Sequence, residues 1–208
     1  MDRRQNHSHR SGLSLRNEIL GRKLKHHVNI CFAGSIDSGK STLATRFKDI
    51  DEGPYDDLFI ARKKNKYVVP IDLDRRPNVK KGGEVVLKIY IEPAPKRRRW
   101  FPIWLRAPLI SIIVFCFDVN NKDDFYETRE RLFRYSRLLE ENMPVAIVLG
   151  TKIDVRDDPG RDGSKNVVRT KFAKRKTKEW QVIHYFECSA WQNKGVNRLL
   201  DFILNLVL

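Results

Sequence analysis

Cysteine is scarce in this chain of 208 residues: there are three, Cys31, Cys116 and Cys188. Each falls in an apolar strand pattern, so they read as buried reduced thiols rather than as a disulfide framework or a metal site. No apolar run is long enough to cross a bilayer; the longest, residues 108–117, is short and is interrupted by Ser111. Acidic residues are outnumbered, 26 Asp and Glu against 41 Lys and Arg, for a formal net charge of +15. That excess favours anionic partners: a phosphoinositide or phosphatidylserine surface, nucleic acid, or an acidic protein. No glycine follows Met1, so N-myristoylation is not expected, and with no C-a-a-X box or terminal cysteine no prenyl anchor is expected either.

What is there begins with Gly34-Ser-Ile-Asp-Ser-Gly39-Lys40-Ser41-Thr42, which fits G-x-x-x-x-G-K-[ST] at every fixed position. Glycines let the backbone turn tightly enough for successive N–H groups of Ile36, Asp37, Ser38 and Gly39 to surround a phosphate. Lys40 adds a point charge on the β- and γ-phosphates, and Ser41 offers a hydroxyl to Mg²⁺. The helix starting near Gly39, with Thr42 in its first turn, directs its N-terminal dipole at the same anion. The match lies between a strand pattern (27–33) and a helix pattern, which a chance glycine turn would not supply. A nucleoside phosphate is the expected ligand.

The base is read further along. A buried-strand run, 145–149, ends in Gly150-Thr151-Lys152-Ile153-Asp154. A carboxylate at Asp154 can accept hydrogen bonds from the N1–H and the exocyclic amine of guanine, a donor pair that adenine lacks. The aliphatic stem of Lys152 can lie over the purine face. A third strand pattern, 182–186, runs into Glu187-Cys188-Ser189-Ala190, where a small residue lets a backbone N–H approach the guanine O6. T-K-x-D alone is a weak signal, but three motifs in this order at strand ends are strong together.

Elsewhere the pattern is regular. Residues 1–26 are polar and basic, with Asp2 and Glu18 the acidic exceptions, and read as a disordered or partly helical arm. Their Arg-rich bias also suits a mitochondrial presequence, although the apolar face is thin. Helices are expected over 43–50, 123–141, 166–180 and 195–208, and strands over 67–73, 84–91 and 109–119 besides those already given. Phe125, Leu132, Tyr135 and Leu139 share one side of the second helix. This alternation predicts one α/β domain over 27–208: a P-loop NTPase with a mostly parallel six-stranded sheet, about five flanking helices, and the nucleotide at strand C-terminal ends.

From residue 27 onward the chain resembles a small GTPase of the Ras superfamily. Thr151-Lys-Ile-Asp-Val-Arg-Asp-Asp158 and Phe186-Glu-Cys-Ser-Ala190 look most like the Rho branch. The phosphate loop is instead similar to that of translational elongation factors, which reads as convergence because no barrel domains follow. The resemblance implies GTP and GDP as ligands with Mg²⁺, and effectors or regulators on the surface from 54 to 106, where Tyr55, Phe59, Trp100, Phe101 and Trp104 cluster. It also exposes departures. In the family a loop threonine ligands Mg²⁺, yet no threonine stands between Thr45 and Thr128. The family's D-x-x-G-Q is Glu92-Pro93-Ala94-Pro95-Lys96 here. Glu92 keeps a carboxylate for a Mg²⁺-bound water, one methylene further out. Pro95 has no N–H to give a γ-phosphate, and Lys96 has donors but no acceptor with which to orient a water. Ile36 adds bulk in the phosphate loop. The expectation is a guanine-nucleotide-binding protein with degenerate switches and slow hydrolysis, in signalling or membrane traffic. The alternatives are a pseudo-GTPase scaffold and a nucleic-acid- or ribosome-associated GTPase. A cytoplasmic location is expected, with basic clusters such as 96–99 and 171–178 able to hold an anionic membrane surface.

Overall fold

The computed structural model describes residues 26–56, 59–61, 63–93, 109–158, 166–182 and 184–208. Pro95, Lys96, Trp100, Phe101, Trp104 and nearly all of the N-terminal arm lie outside the described residues. The elements alternate: β1 (His26–Gly34), α1 (Lys40–Lys48), β2 (Lys66–Asp72), β3 (Glu84–Ile91), β4 (Ile112–Asp118), α2 (Lys122–Leu139), β5 (Val145–Thr151), the one-turn α3 (Ile153–Arg156), α4 (Thr170–Glu179), β6 (His184–Glu187) and α5 (Val196–Val207). The expected α/β class and six-stranded sheet are present, with five α-helices among the described residues.

The strand order is β2-β3-β1-β4-β5-β6, and only β2 and β3 pair antiparallel. Central strands covered on both faces must be apolar throughout, and β4 (IIVFCFD) is buried from Ile112 to Phe117. Pro70 stands inside β2, opposite Val86, and is tolerated because β2 is an edge strand and needs bonds on one side only. The chain leaves β1 toward β3 on one side and β4 on the other. That reversal opens a crevice at the carboxyl ends of these strands, where open α/β sheets bind ligands. Register brings those ends level: Gly34 faces Cys116, Asp118 faces Thr151, and Gly150 faces Glu187.

Side chains of period two divide the interior into two layers. Ile30, Phe32, Val114 and Ile147 pack under Leu43 and Phe47 of α1 and Leu199 and Ile203 of α5. Cys31, Ala33, Phe115 and Phe117 pack under Phe125, Leu132 and Tyr135 of α2 and under Ala173 of α4 and Trp180, which follows it. Each fully buried Leu or Phe contributes about 1.5–3 kcal/mol of transfer free energy. α2 starts at Lys122 because the Asn121 side chain accepts from the N–H groups of Asp123 and Asp124, an N-cap. All three cysteines are buried and unpaired, and burial raises their thiol pKa values, Cys116 to about 12.

Some boundaries shift from expectation for local reasons. β4 begins at Ile112 rather than at residue 109, because Leu109 is 93% exposed. α4 begins at Thr170 rather than at 166, because Val168 first enters the core and its N–H bonds Val119 O at 2.7 Å. No helix among the described residues is long and apolar enough to cross a membrane.

Candidate functional site

Gly34 closes β1 with φ +145°, and a Cβ there would lie 2.1 Å from the Cys116 carbonyl oxygen, so only glycine lets the loop leave the sheet at this point. The loop then arches through Asp37 (φ +60°) to Gly39 (φ +82°), the N-cap of α1. Lys40 opens that helix and folds back under the arch. Its ammonium donates to the carbonyls of Gly34 (3.0 Å) and Ser35 and to Ser38 Oγ (3.1 Å). Burial lowers its pKa. Ser38 is fully buried and its hydroxyl donates to Ser35 O at 2.9 Å, whereas Ile36 stands 68% exposed on the rim. Ser41 follows in the first turn of α1, half-buried, and Thr42 lines the same cavity. The result is an arch of backbone with a positive charge and a helix N-terminus beneath it, a shape suited to a phosphate chain.

The loops after β5 and β6 meet this arch from the side. Thr151 shares its hydroxyl between Ser38 O and Phe117 O, 2.9 Å from each, and so ties the phosphate loop to two strand ends. Lys152 takes a left-handed conformation (φ +60°), and its ammonium pairs with Asp118 at 2.9 Å. Burial opposes ionisation of Asp118, but hydrogen bonds from Lys152 and Asn120 outweigh it and hold its pKa below the ordinary value. The pair fixes the Lys152 stem across the floor of a cavity of about 320 Å³. Gly39, Thr42, Thr151, Asp154, Ala190 and Trp191 complete its walls. Asp154 lies on α3, which Arg156 braces by pairing with Glu187 at 3.0 Å. Ser189 is buried and exchanges backbone bonds with Lys194, which shapes the turn presenting Ala190. Every proposed phosphate- and base-binding residue therefore gathers at one end of the sheet.

Two contributors carry no motif. One is Asp118, whose signal in the sequence is a carboxylate closing an apolar strand. The other is Arg46, fully buried in α1. Its guanidinium donates to Ala190 O (2.7 Å), Trp191 O (3.2 Å), Asp49 O (3.2 Å), Glu52 O (3.3 Å) and Gly53 O (2.9 Å). It also stacks 3.6 Å above the Tyr55 ring. Tyr55 in turn stacks on Phe59, and both meet Trp191 edge-on. Asn193 donates to Ile50 O and Glu52 O, and the Tyr55 N–H bonds Trp191 O. The segment after α1 is thus stapled to the base-side loop, and Tyr55 and Phe59 belong to that staple more than to an open contact surface.

Glu92 takes a different place from the one its sequence position suggests. It is 1% exposed, and its carboxylate accepts from Arg131 (3.0 Å) and the Tyr135 hydroxyl of α2 and from the Gly34 N–H (3.2 Å). Burial pushes its pKa up to about 7 against the opposing pull of Arg131. The carboxylate is committed to holding α2 beneath the phosphate loop rather than presented to a metal-bound water. Among the described residues no group of three His, Cys, Asp or Glu side chains is placed to share a metal ion. Magnesium needs near-octahedral oxygen ligation, commonly with a carboxylate from the protein. Among the described residues of the phosphate cavity, Glu92 is engaged with α2 and Asp37 faces Lys63 at 3.6 Å, which leaves the hydroxyls of Ser41 and Thr42, a donor set that does not fit the ion in that manner.

With this geometry in hand, two comparisons bear on the chain. A model of the Ras family matches residues 106–208, a stretch that takes in β4 and both base-side loops and begins after the phosphate loop. The Rho-related protein racM of Dictyostelium discoideum is 27% identical over 99 residues, 48% of this chain and 52% of the relative. The match thus spans about half the length of the curated relative.

Proposed function

We propose, from the premise that this chain is a Ras-superfamily small GTPase with Rho-like guanine-binding motifs, that it binds GTP and GDP in the crevice between the phosphate loop and the base-side loops. The observation that carries the reading is the Thr151 bridge, which locks the phosphate arch to the cavity beside Asp154 in one rigid unit. In this reading residues 27–208 are one nucleotide-binding domain behind the basic arm 1–26. The phosphates lie on the N–H groups of residues 36–39 with Lys40, Ser41 and Thr42. Asp154 accepts from the guanine N1–H and amine, Lys152 covers one face of the base, and the Ser189–Ala190 turn meets O6.

Hydrolysis is slow in this reading, because the chain has Lys96 where the family glutamine would orient water and none of the described residues takes its place. Lys96 lacks an acceptor and the Glu92 carboxylate is held by Arg131 and Tyr135. The burial of Glu92 also favours a second reading, a pseudo-GTPase scaffold whose partner surface does not change with the nucleotide. Effector or regulator proteins in signalling or traffic are the partners proposed, with an anionic membrane surface met through the basic clusters; nucleic acid is the weaker alternative.

The test is chromatography of the nucleotide released when purified protein is denatured, followed by single-turnover hydrolysis. Bound GTP or GDP with turnover far below that of ordinary Ras-type proteins is the expected result. Protein that is folded, empty and unable to take up added guanine nucleotide would move the assignment to the scaffold. Turnover at the ordinary Ras rate would overturn the account of the switches.

A further inference from the structure

We infer that this protein neutralises the β- and γ-phosphates of its nucleotide with lysine ammonium groups where a magnesium ion would otherwise serve, so that binding does not require the metal. The inference rests on the reading of the crevice as a guanine-nucleotide site and adds to it the chemistry of phosphate recognition.

Two observations carry it. First, the acidic side chain best placed to support a metal is spoken for. Glu92 accepts from two α2 side chains and one backbone N–H, and moving it would break all three of those bonds in a buried layer. Second, lysines converge on the same space. Among the described residues, the phosphate cavity of about 530 Å³ is lined by Lys40, Lys63, Lys64 and Lys152 and by the two acids Asp37 and Glu92. Glu92 is matched by Arg131, and Lys152 is matched by Asp118 outside the cavity. What remains among the described residues is Lys40, Lys63 and Lys64 against Asp37, an excess of positive charge at the arch.

Lys63 and Lys64 come from the segment just ahead of β2, across the cavity from the helix that carries Ser41. Lys63 Nζ lies 3.6 Å from Asp37 Oδ1 on the phosphate loop, and both residues line the cavity. Both partners of that contact are largely exposed, at 82% and 74%, so it holds little energy and yields readily to a phosphate oxygen. Lysine binds phosphate as a mobile point charge with three donors, and a hydrogen bond between two ions is about twice as strong as a neutral one. Two such groups deliver the charge of one divalent cation without requiring an octahedron of oxygens.

The experiment measures binding of GDP and GTP by equilibrium titration, in millimolar Mg²⁺ and again in excess EDTA, for the wild-type chain and for the double variant Lys63→Ala/Lys64→Ala. Both lysines are exposed, so the double variant is expected to melt as the wild type does. Expected is a wild-type affinity that changes by less than about threefold on chelation, and a double variant weakened by about tenfold or more in EDTA. A wild-type affinity that collapses by about a hundredfold on chelation overturns the inference while leaving the guanine-nucleotide reading standing. Insensitivity to EDTA with an unaffected double variant also overturns it, because the neutralising charge then lies elsewhere. No binding in either buffer by a folded protein overturns the nucleotide reading itself and the inference with it.

Discussion

Replacing Arg46 by methionine keeps an unbranched, buried side chain and removes the guanidinium that ties three stretches of backbone together. The two shortest of its five hydrogen bonds, 2.7 Å to Ala190 and 2.9 Å to Gly53, are the strongest. At about 1.5 kcal/mol net for a bond to a charged donor, they contribute about 3 kcal/mol. The other three, at 3.2–3.3 Å, add less, and what they add is offset by no longer desolvating a buried charge. The carbonyls of Asp49, Glu52 and Gly53 belong to a surface segment and regain water, so they do not remain unsatisfied. A loss of about 3 kcal/mol in a chain of this size lowers the melting temperature by about 6–12 °C. Circular dichroism melts, with urea titrations in parallel, measure it directly. Arg46→Lys keeps the charge without the planar fork and is expected to fall between the two. Because the same guanidinium holds the turn at Ala190, affinity for GDP is expected to drop by about tenfold, equivalent to 1.4 kcal/mol. A methionine variant that melts within about 2 °C of the parent refutes the reasoning, since that is less than one kcal/mol.

Two further predictions concern carboxylates. Glu92 has its pKa raised to about 7 by burial, so its contribution to stability is fully present below its unfolded value near 4.5 and is lost as pH rises through 7. Urea titrations across that window are expected to show the parent losing stability relative to Glu92→Gln, and parallel curves would show that the group is ionised throughout. Asp154→Asn removes the acceptor pair offered to guanine, and two charge-assisted bonds at about 1.5 kcal/mol each predict a loss of roughly a hundredfold in GDP affinity. The amide, which can donate, is expected to favour xanthosine diphosphate, and an unchanged guanine affinity would place the base elsewhere.

Much of this architecture is legible in the chain itself, for reasons that are local. Gly34, Gly39, Lys40 and the strand runs around them announce themselves because a tight turn and an amphipathic strand need particular residues at neighbouring positions. The base-side residues Thr151, Asp154 and Ala190 are legible for the same reason. Arg46 is not, because it sits 144 residues from Ala190 in sequence and a charged residue in a short helix ordinarily reads as solvent-facing. Glu92 illustrates a different limit. Its type and position suggest a place beside a metal, but what decides its role is Arg131 and Tyr135, one turn apart on a helix 39 and 43 residues away. The start of β4 at Ile112 escaped for a third reason: Leu109 is apolar yet stands 93% exposed, and hydrophobicity alone does not distinguish a strand from its approach.

The proline inside β2 bears on how this molecule behaves at high concentration. β2 is the terminal strand on its side of the sheet, and such a border is where a second chain can add on and propagate into a fibril. Val69 and Ile71 turn inward while Val68 stands 55% exposed, so the outward row is neither strongly polar nor long. Pro70 interrupts it: an incoming strand finds one amide hydrogen missing near the middle of a seven-residue ladder, with Lys66 and Asp72 at its two ends. The border is thereby closed to continuous polymerisation while its inner side still pairs in full with β3. A chain with this edge is expected to tolerate concentration without seeding ordered aggregates from this strand.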